Sequence, residues 1–542
     1  MDRFYILNDV WAIPIGCSET SPKAASMNTL KFVLANVGME PALFLYMLST
    51  FLKYPVFQSL LYEKSCFERY TDVDCTNVSH VFADIKLQGD ANYMYLLSSV
   101  CLTVPSIVVA LVLGAGRAQI GGGTRGAQGG TRDPMSDVWS TKMPMLIPFV
   151  GLVFCDINYI VQCTYMEYNI NWLLLSDLIF GFAGGFTAII GTIFSYSTKT
   201  TSAEFRSERM SALEGSIGLG GTIGYAISGS LRELVGYANI FLIQAFLHAL
   251  GFAYILYFAR DVVSCPNEGL EENALEPADP TVVSKMKDSL RETVLGIQEM
   301  FRKLGSGRLR LVLSLTLIAL GVELFVFSGI SDIQFSYFRY KLSWSDKQFG
   351  WFSGLGYACT TLMVFTLYPF FHYKRHVSDV VLTMAGVLSK IIYCVLLAFA
   401  FSDWMVYAVV VIFSLNRFVS TGMRAICADV VAYSDQGKLF SLIALIEGVT
   451  NLLASLLFNS VYPKTLHLFS GTVFLSVAVI LLIPFGLLCI LEKNFRKLLA
   501  RRRFSLLHPK LSKSFDLVAS YGAIDDLKPR KLSNEQNAMI FS

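Results

Sequence analysis

The sequence predicts an all-α polytopic membrane protein with twelve transmembrane helices. Three observations lead to this class: 54% of the 542 residues are hydrophobic, only 16% are charged, and long apolar runs recur along the chain. Soluble domains carry roughly 25% charged residues, so a large share of this chain must avoid water. The net charge of +3 is too small to suggest a nucleic-acid partner.

Each predicted span is an apolar run of about 20 residues, the length at which a helix crosses the hydrocarbon core. In chain order the runs are 40–62, 92–114, 143–163, 172–195, 210–231, 237–259, 311–331, 348–370, 379–401, 404–425, 439–460 and 468–491. A count of ten or eleven stays open, because some runs carry one or two charges. Charged residues before position 39 leave no clean signal-peptide core, so the first span is expected to be an uncleaved anchor.

The loops predict the orientation of the chain. Most of the 44 lysines and arginines fall in the N-terminus, the tail and the alternate loops on the same side, which predicts that both termini are cytoplasmic. The one Asn-x-Ser/Thr acceptor, Asn77, lies in the first predicted outer loop and is expected to be glycosylated. Cys66 and Cys75 share this loop, where an oxidising compartment would permit a disulfide. Cys163 is an alternative partner, and free thiols also stay open.

Two groups of six spans lie on either side of a long connection. We expect a cytoplasmic N-terminus (1–38), a six-helix bundle (39–259), a cytoplasmic connection (260–310), a second six-helix bundle (311–491) and a cytoplasmic tail (492–542). Secondary transporters have this layout, with the substrate bound near the midplane between the bundles.

Two stretches of the loops stand out. Residues 116–135 form a glycine-rich loop, which we interpret as a lineage insertion or a gene-model error. Residues 282–304, in the connection, are amphipathic and predict an interfacial helix.

Motifs at the start of span one, in span five and near the end of the chain resemble one transporter family. They are Met39-Glu40-Pro41, Ala212-Leu213-Glu214-Gly215, Arg424-Ala425, Asp435-Gln436-Gly437-Lys438 and Phe458-Asn459-Ser460-Val461-Tyr462-Pro463. They are similar to the proton-coupled folate transporter family (solute carrier family 46). The resemblance implies the major facilitator fold and proton-coupled import of an organic anion, such as a folate-like compound.

The chain departs from the folate-transporting members at two positions. Their pattern has an acid before the Gly-Gly of span four and a histidine in span seven, where this chain has Phe182 and Phe327. Folate as the substrate and the usual route of proton coupling are therefore in question. The family also includes members that resemble carriers of other organic anions, peptide fragments or cyclic dinucleotides.

Ionisable residues inside the predicted spans are the main functional candidates, because an ionised group at bilayer depth is costly unless it is paired or faces water. Guanidinium groups can bind carboxylates or phosphates bidentately, and carboxyl groups can take up and release protons. We predict a substrate and ion path bordered by six such residues. They are Lys53, Glu214, Glu323, Arg417, Arg424 and Glu447. The resemblance assigns roles to Glu214 and Arg424, while structural ion pairing is the alternative for each residue.

Other ionisable residues lead to weaker expectations. Lys390 is expected to lie at the periphery or to extend its amine toward the interface. Asp156 and Asp177, near the predicted outer ends, are expected to be solvated or bonded to backbone. We interpret His248 as a hydrogen-bonded core residue, and Asp137 as a latch of the cytoplasmic gate. Gly220 and Gly224 form a G-x-x-x-G pair, which indicates close helix packing.

The sequence therefore predicts a secondary active transporter with alternating access, located in the plasma membrane or an endolysosomal membrane. No metal-ligand spacing, nucleophile elbow or phosphate loop is present in the sequence, so we expect neither an enzyme nor a cofactor or metal. A non-transporting receptor or scaffold of the same fold is the alternative. Neutralising the cavity charges without loss of function would favour it.

Overall fold

The computed structural model describes residues 38–70, 75, 84–118, 142–201, 205–259, 282–304, 307–432 and 435–493. Within these ranges the secondary structure is helical, without strands. Asn77, Asp137 and most of the glycine-rich loop lie outside the described residues.

The helices are labelled in chain order. They are α1 (Glu40–Arg69), α2 (Ile85–Ala118), α3 (Met143–Thr164), α4 (Leu173–Phe182), α5 (Gly185–Thr200), α6 (Arg206–Phe258), α7 (Val282–Lys303), α8 (Gly307–Leu342), α9 (Asp346–Pro369), α10 (Asp379–Ala398), α11 (Asp403–Phe413), α12 (Arg417–Val430), α13 (Gln436–Thr465) and α14 (Thr472–Ile480). A 3₁₀ turn (Ile170–Trp172) precedes α4, and a π-helical turn (Phe370–Lys374) follows α9. Residues 482–493 continue as helix after α14.

In the described part of the chain, ten helical segments are long and apolar enough to cross a membrane. One of them, Arg209–Phe258, is 50 residues long and contains Gly236 at a φ of 80°. This left-handed backbone conformation suits glycine and separates the predicted spans five and six. Predicted span one lies in α1, which is outside the set of ten. The count of twelve spans therefore stays a prediction.

The apolar side chains form two large cores. One core is drawn only from residues 39–259, which we call the N-terminal half. The other is drawn mainly from residues 300–491, the C-terminal half, and a few residues of α1 and α2 join it. Each half thus buries its own apolar faces, as the two groups of predicted spans lead one to expect.

The two ends of the bundle are named by what they carry. The disulfide end holds the Cys66–Cys75 disulfide, with the Cα atoms 5.8 Å apart. It also holds an ion pair between Arg69 and Asp90, which links α1 to α2.

The linker end holds α7, which coincides with the predicted amphipathic stretch. Lys438 of α13 lies 3.5 Å from the Glu299 carboxylate, and Lys303 lies 3.6 Å from that of Asp435. The hydrogen bond from Lys303, together with the charge of Lys438, lowers the pKa of Glu299. The hydrogen bond to Glu299 and the charge of Asp435 raise the pKa of Lys303. These charges dock α7 onto the C-terminal half.

Glycines allow α6 of the N-terminal half to pack closely against α9 of the C-terminal half. A Cβ atom on Gly229 would lie 2.2 Å from the backbone nitrogen of Lys347, and one on Gly350 would lie 2.5 Å from the carbonyl oxygen of Tyr225. Nearer the linker end the contacts are to side chains and not to backbone: a Cβ on Gly218 would lie 2.5 Å from the Thr361 side chain, and one on Gly215 would first meet a ring atom at 3.9 Å. The two halves therefore meet most tightly toward the disulfide end.

The G-x-x-x-G pair also packs as predicted, against α1. A Cβ on Gly220 would lie 2.7 Å from the Cβ of Met47, and one on Gly224 would lie 2.6 Å from the carbonyl oxygen of Leu48. Gly220 and Gly224 thus serve helix packing.

Ion pairs join the same two helices at the disulfide end. Arg232 of α6 binds Asp346 of α9 bidentately, with N–O distances of 2.5 and 2.7 Å, and Asp346 is fully buried. Beside this pair, Lys347 lies 2.6 Å from Glu233. A bidentate guanidinium–carboxylate pair is among the stronger ionic contacts in proteins. The disulfide end is therefore closed where α6 meets α9.

We expect Gly350→Ala to lower the melting midpoint of the purified protein, because the added methyl group overlaps the Tyr225 carbonyl oxygen. Overpacking of this kind typically costs about 1–3 kcal/mol. The matched control is Gly356→Ala on the same helix, where a Cβ meets no atom within 4 Å. Alanine favours the helix over glycine, so the control should melt at or above the wild-type midpoint. Equal midpoints for the two variants would contradict the close-packed contact.

Candidate functional site

Two predicted spans, four and ten, are interrupted near their middles. Span four changes from α4 to α5 through Gly184 and Gly185, whose φ angles are 102° and 59°. Span ten changes from α11 to α12 just before Arg417. Four and ten occupy equivalent places in the two groups of six predicted spans. Interrupted helices at equivalent positions of two halves are a feature of transporter binding sites.

Packing explains the first interruption. Gly185 approaches α2 so closely that a Cβ would lie 2.1 Å from the hydroxyl oxygen of Ser106. The positive φ angle and the close approach both require glycine. At the second interruption, the side-chain oxygen of Asn416 is buried and lacks a hydrogen-bond partner among the described residues.

Arg417, at the start of α12, connects the two halves. Its guanidinium nitrogen lies 3.9 Å from the carboxylate of Glu214 on α6, and its guanidinium carbon lies 5.5 Å from the Tyr357 ring centroid. The side chains of Arg417 and Glu214 are 23% and 45% exposed. Because the pair is long and partly exposed, each partner can exchange the other for water or for a bound ion.

Arg424 forms a second pair on the same helix. One terminal nitrogen donates to the Glu447 carboxylate at 3.1 Å, and the side chains are 36% and 47% exposed. The Nε of Arg424 is buried and has no acceptor within the described ranges. Seven residues separate Arg417 from Arg424, a rise of about 10 Å along one helix face. We call Glu214–Arg417 and Arg424–Glu447 the path pairs.

Aromatic rings from both halves lie between the path pairs and the disulfide end. This aromatic layer consists of Phe51, Tyr54, Tyr225, Phe349 and Tyr357. The Tyr357 ring centroid is 4.7 Å from that of Phe51 and 5.3 Å from that of Tyr225. The Tyr54 centroid is 6.1 Å from that of Phe349, across the two halves. Arg417 therefore has an apolar, aromatic surface on its disulfide side.

Lys53 does not join the path pairs. Its amine donates to the Tyr159 hydroxyl at 2.9 Å, and that hydroxyl donates to Asp177 at 2.9 Å. Ser98 donates to the second oxygen of Asp177 at 2.7 Å. The expectation that Asp177 is solvated or bonded to backbone is wrong, because side-chain donors on α2 and α3 enclose it.

Glu323 is also separate from the path pairs. Its carboxylate lies 2.7 Å from the amine of Lys390, and both side chains are buried between α8 and α10. The Lys390 amine also lies 5.0 Å from the ring centroid of Phe327. The expectation that Lys390 is peripheral is wrong, because Glu323 supplies the opposite charge that permits its burial.

A buried histidine pairs with an aspartate in the N-terminal half. The Nδ1 of His248 on α6 lies 2.5 Å from the carboxylate of Asp156 on α3. His248 is a hydrogen-bonded core residue, as predicted. Asp156 is not solvated, contrary to the expectation, since His248 covers it inside the half.

Sequence reasoning missed Asp332 and the Arg232–Asp346 pair. Predicted span seven ends at residue 331, whereas α8 continues to Leu342, so Asp332 falls just outside the predicted span. Arg232 and Asp346 lie in different loops of the prediction, and no local pattern brings them together. Within the described ranges, no cluster of three or more His, Cys, Asp or Glu side chains could hold a metal ion.

Known proteins with similar sequences or folds are membrane transporters. Residues 133–455 match the model of the Major Facilitator Superfamily. In fold, the chain is similar to the crystal structure of the human organic anion transporter MFSD10 (TETRAN), with a TM-score of 0.56 and 16% identity. That match covers 83% of this chain and 97% of the other.

Curated relatives confirm the resemblance to solute carrier family 46. The lysosomal proton-coupled steroid conjugate and bile acid symporter SLC46A3 of Gallus gallus is 24% identical, over 83% of this chain and 93% of that protein. The proton-coupled folate transporter of Rattus norvegicus is 26% identical, over 66% of this chain and 75% of that protein. The relatives are transporters and not enzymes. The chain is an integral membrane protein and belongs to the Major Facilitator Superfamily.

Proposed function

We propose that this chain imports a small organic anion together with protons, by alternating access between its two halves. The observation that carries the proposal is the Arg424–Glu447 pair. Arg424 is partly exposed, and its Nε has no acceptor in the described part of the chain. A cation held in this way can accept an anionic group from a substrate, because a guanidinium offers several donors in one plane.

The path pairs suggest how a proton could promote anion binding. Protonation of the Glu447 carboxylate removes the charge that holds the Arg424 guanidinium at 3.1 Å. The guanidinium can then bind a carboxylate or sulfate of the substrate instead. Loss of the proton restores the internal pair and displaces the anion. Glu214 and Arg417 could exchange partners in the same manner across the two halves.

The closed disulfide end supports alternating access. The Arg232–Asp346 pair and the glycine contacts between α6 and α9 join the halves on that side. The path pairs, which lie on the linker side of the aromatic layer, stay partly exposed. We therefore propose that this conformation faces the linker end. With both termini cytoplasmic, it is the inward-facing state.

The substrate is proposed to be an amphipathic organic anion. Relatives are described as carriers of folate, or of steroid conjugates and bile acids, all of which combine ring systems with acidic groups. Arg417 stands beside the aromatic layer, so a single molecule could place an anionic group on the cation and its rings on Tyr357. Phe182 and Phe327, which depart from the folate-type pattern, make a folate less favoured than another ring-bearing anion.

We propose a location in the plasma membrane or an endolysosomal membrane, where the outer or luminal side can be acidic. The proposed arrangement is twelve spans in two six-helix bundles, 39–259 and 311–491. The connection 260–310 and the tail 492–542 would then be cytoplasmic. This topology places Asn77 and the disulfide on the outer or luminal side, where a glycan can be attached.

We expect reconstituted protein to take up at least one labelled anion from a panel of folic acid, taurocholate and estrone sulfate, and to do so faster with an inward proton gradient. Arg424→Ala should reduce uptake by about 10–100-fold, since a hydrogen bond to a charged group contributes about 1.5–3 kcal/mol. The matched control is Lys86→Ala, an exposed cation at the disulfide end, which should leave uptake unchanged.

Two results would count against the proposal. Uptake that is indifferent to pH and to protonophores would refute proton coupling. Undiminished function in Arg424→Ala would favour the receptor or scaffold alternative.

We expect Glu214→Gln and Arg417→Gln to be non-additive, because the two groups contact each other across the halves. Contacting residues typically show interaction energies of about 0.5–3 kcal/mol in double-mutant cycles. The measurement is the apparent affinity for the transported anion in both single variants and the double variant. Asp90→Asn combined with Arg417→Gln is the control cycle and should be additive. Additive effects in both cycles would show that Glu214 and Arg417 act independently.

A further inference from the structure

Asp332 of α8 is a buried carboxyl group without a cationic partner among the described residues. It lies ten residues before the end of α8, about 15 Å from the disulfide end of that helix. Among the other buried acids, Glu323 has Lys390 and Asp156 has His248, while Asp177 accepts from Tyr159 and Ser98 inside the N-terminal half. Burying an ionised carboxylate among neutral groups alone costs free energy. This cost makes Asp332 a candidate functional residue.

Neutral donors from both halves surround Asp332. The Tyr95 hydroxyl of α2 lies 3.3 Å from one carboxyl oxygen, and the Asn459 amide of α13 donates to the other at 3.1 Å. Tyr54 of α1 donates to the carbonyl oxygen of the adjacent Ser331. Tyr54 and Tyr95 are the titratable groups that face Asp332 from the helices packed against it.

The amide of Asn459 carries an acceptor that a protonated Asp332 could use. Its nitrogen donates to Asp332 and to Ser455, but its buried side-chain oxygen has no partner in the described part of the chain. Rotating the amide by half a turn would aim this oxygen at the carboxyl group. That arrangement is favourable only if Asp332 carries a proton to donate. The pair thus has two arrangements that differ by one proton, and the rotation exchanges the amide's bond to the Ser455 carbonyl for one from the protonated acid.

The position of Asp332 couples it to the closure of the disulfide end. Tyr95 belongs to the N-terminal half, whereas Asp332 and Asn459 belong to the C-terminal half. The Ser336 hydroxyl, one turn further along α8, also donates across the halves, to the side-chain oxygen of Asn92 at 3.1 Å. Separation of the halves at the disulfide end would break both contacts and admit water to the carboxyl group.

From this geometry we infer that Asp332 binds a coupling proton in addition to the one proposed for Glu447, an inference that rests on the proposed function. The carboxylate takes a proton from water when the disulfide end is open, forming an O–H bond. Closure then brings Tyr95 into contact and shields the neutral acid from water. The acid returns the proton to water that enters from the linker end, and the Asn459 amide rotates back. This chain would thereby have a proton-binding acid although Phe182 and Phe327 stand where the folate-transporting members have an acid and a histidine.

The direct test is infrared spectroscopy of the purified full chain in lipid, titrated from neutral to acidic pH. The carbonyl stretch of a protonated carboxylic acid is distinct from the bands of a carboxylate. We expect wild-type protein to show an acid band that is absent in Asp332→Asn and shifted in Asn459→Ala. Asp90→Asn, which removes an exposed carboxyl group, is the matched control and should keep the band. Identical spectra for wild type and Asp332→Asn would overturn the inference.

A transport assay separates this inference from the proposed function. With labelled taurocholate, folic acid and estrone sulfate, Asp332→Asn should reduce stimulation by the proton gradient about tenfold, within the range of known coupling free energies. Exchange of labelled for unlabelled anion needs no net proton movement. The exchange rate of Asp332→Asn should therefore differ from that of the wild type by less than about twofold. A retained exchange rate also shows that the variant folds. Full gradient stimulation in Asp332→Asn would refute the role of Asp332. If wild-type protein transports none of the anions, the proposed function fails, while the infrared result still decides whether Asp332 binds the proton.

Discussion

The cost of placing an ionised group in hydrocarbon governs the arrangement of this protein. Every charge inside a predicted span must meet an opposite charge, a polar partner or water. The structure uses all three: Lys390 and Glu323 neutralise each other in the C-terminal half, Lys53 bonds to a tyrosine hydroxyl, and the path pairs keep partial exposure. The distinction matters for function, because a fully buried pair has fixed partners whereas a partly exposed pair can exchange them. Arg417 and Arg424 are therefore better suited to bind a substrate than Lys390.

The contacts between the halves divide into a tight and a loose set. At the disulfide end, Arg232 and Asp346 form a bidentate pair, and Gly229 and Gly350 bring backbone against backbone. Toward the linker end, the contact of Arg417 with Glu214 is long and partly exposed. A carrier that alternates must break one set while it makes the other. Asp332 and Tyr95 lie on the tight side, so their hydrogen bond can depend on which end is open.

Much of the fold could be predicted from the sequence, because apolar runs of membrane length report helices directly. The apolar pattern predicts the ends of a helix less well where a charged residue or a glycine lies near the end of the apolar run. Predicted span seven ends at residue 331 and so does not include Asp332. The interruption at Gly184-Gly185 was not predicted. Pairings between distant residues, such as Lys390 with Glu323, depend on helix packing that no local pattern records. The predicted path residues include both path pairs, and only the structure separates these pairs from Lys53 and Glu323; that they border a path stays a prediction.

The most direct test of this account is the water accessibility of the path pairs. In a background that retains only Cys66 and Cys75, Glu214→Cys and Glu447→Cys would each be treated with a membrane-impermeant thiol reagent from the linker side. Such reagents need a thiolate, which water supports and hydrocarbon does not. We predict rapid labelling at both positions and none at Glu323→Cys, which lies inside a half. Labelling that fails at positions 214 and 447 would mean that these side chains face lipid or packed protein, and would contradict a path between the halves.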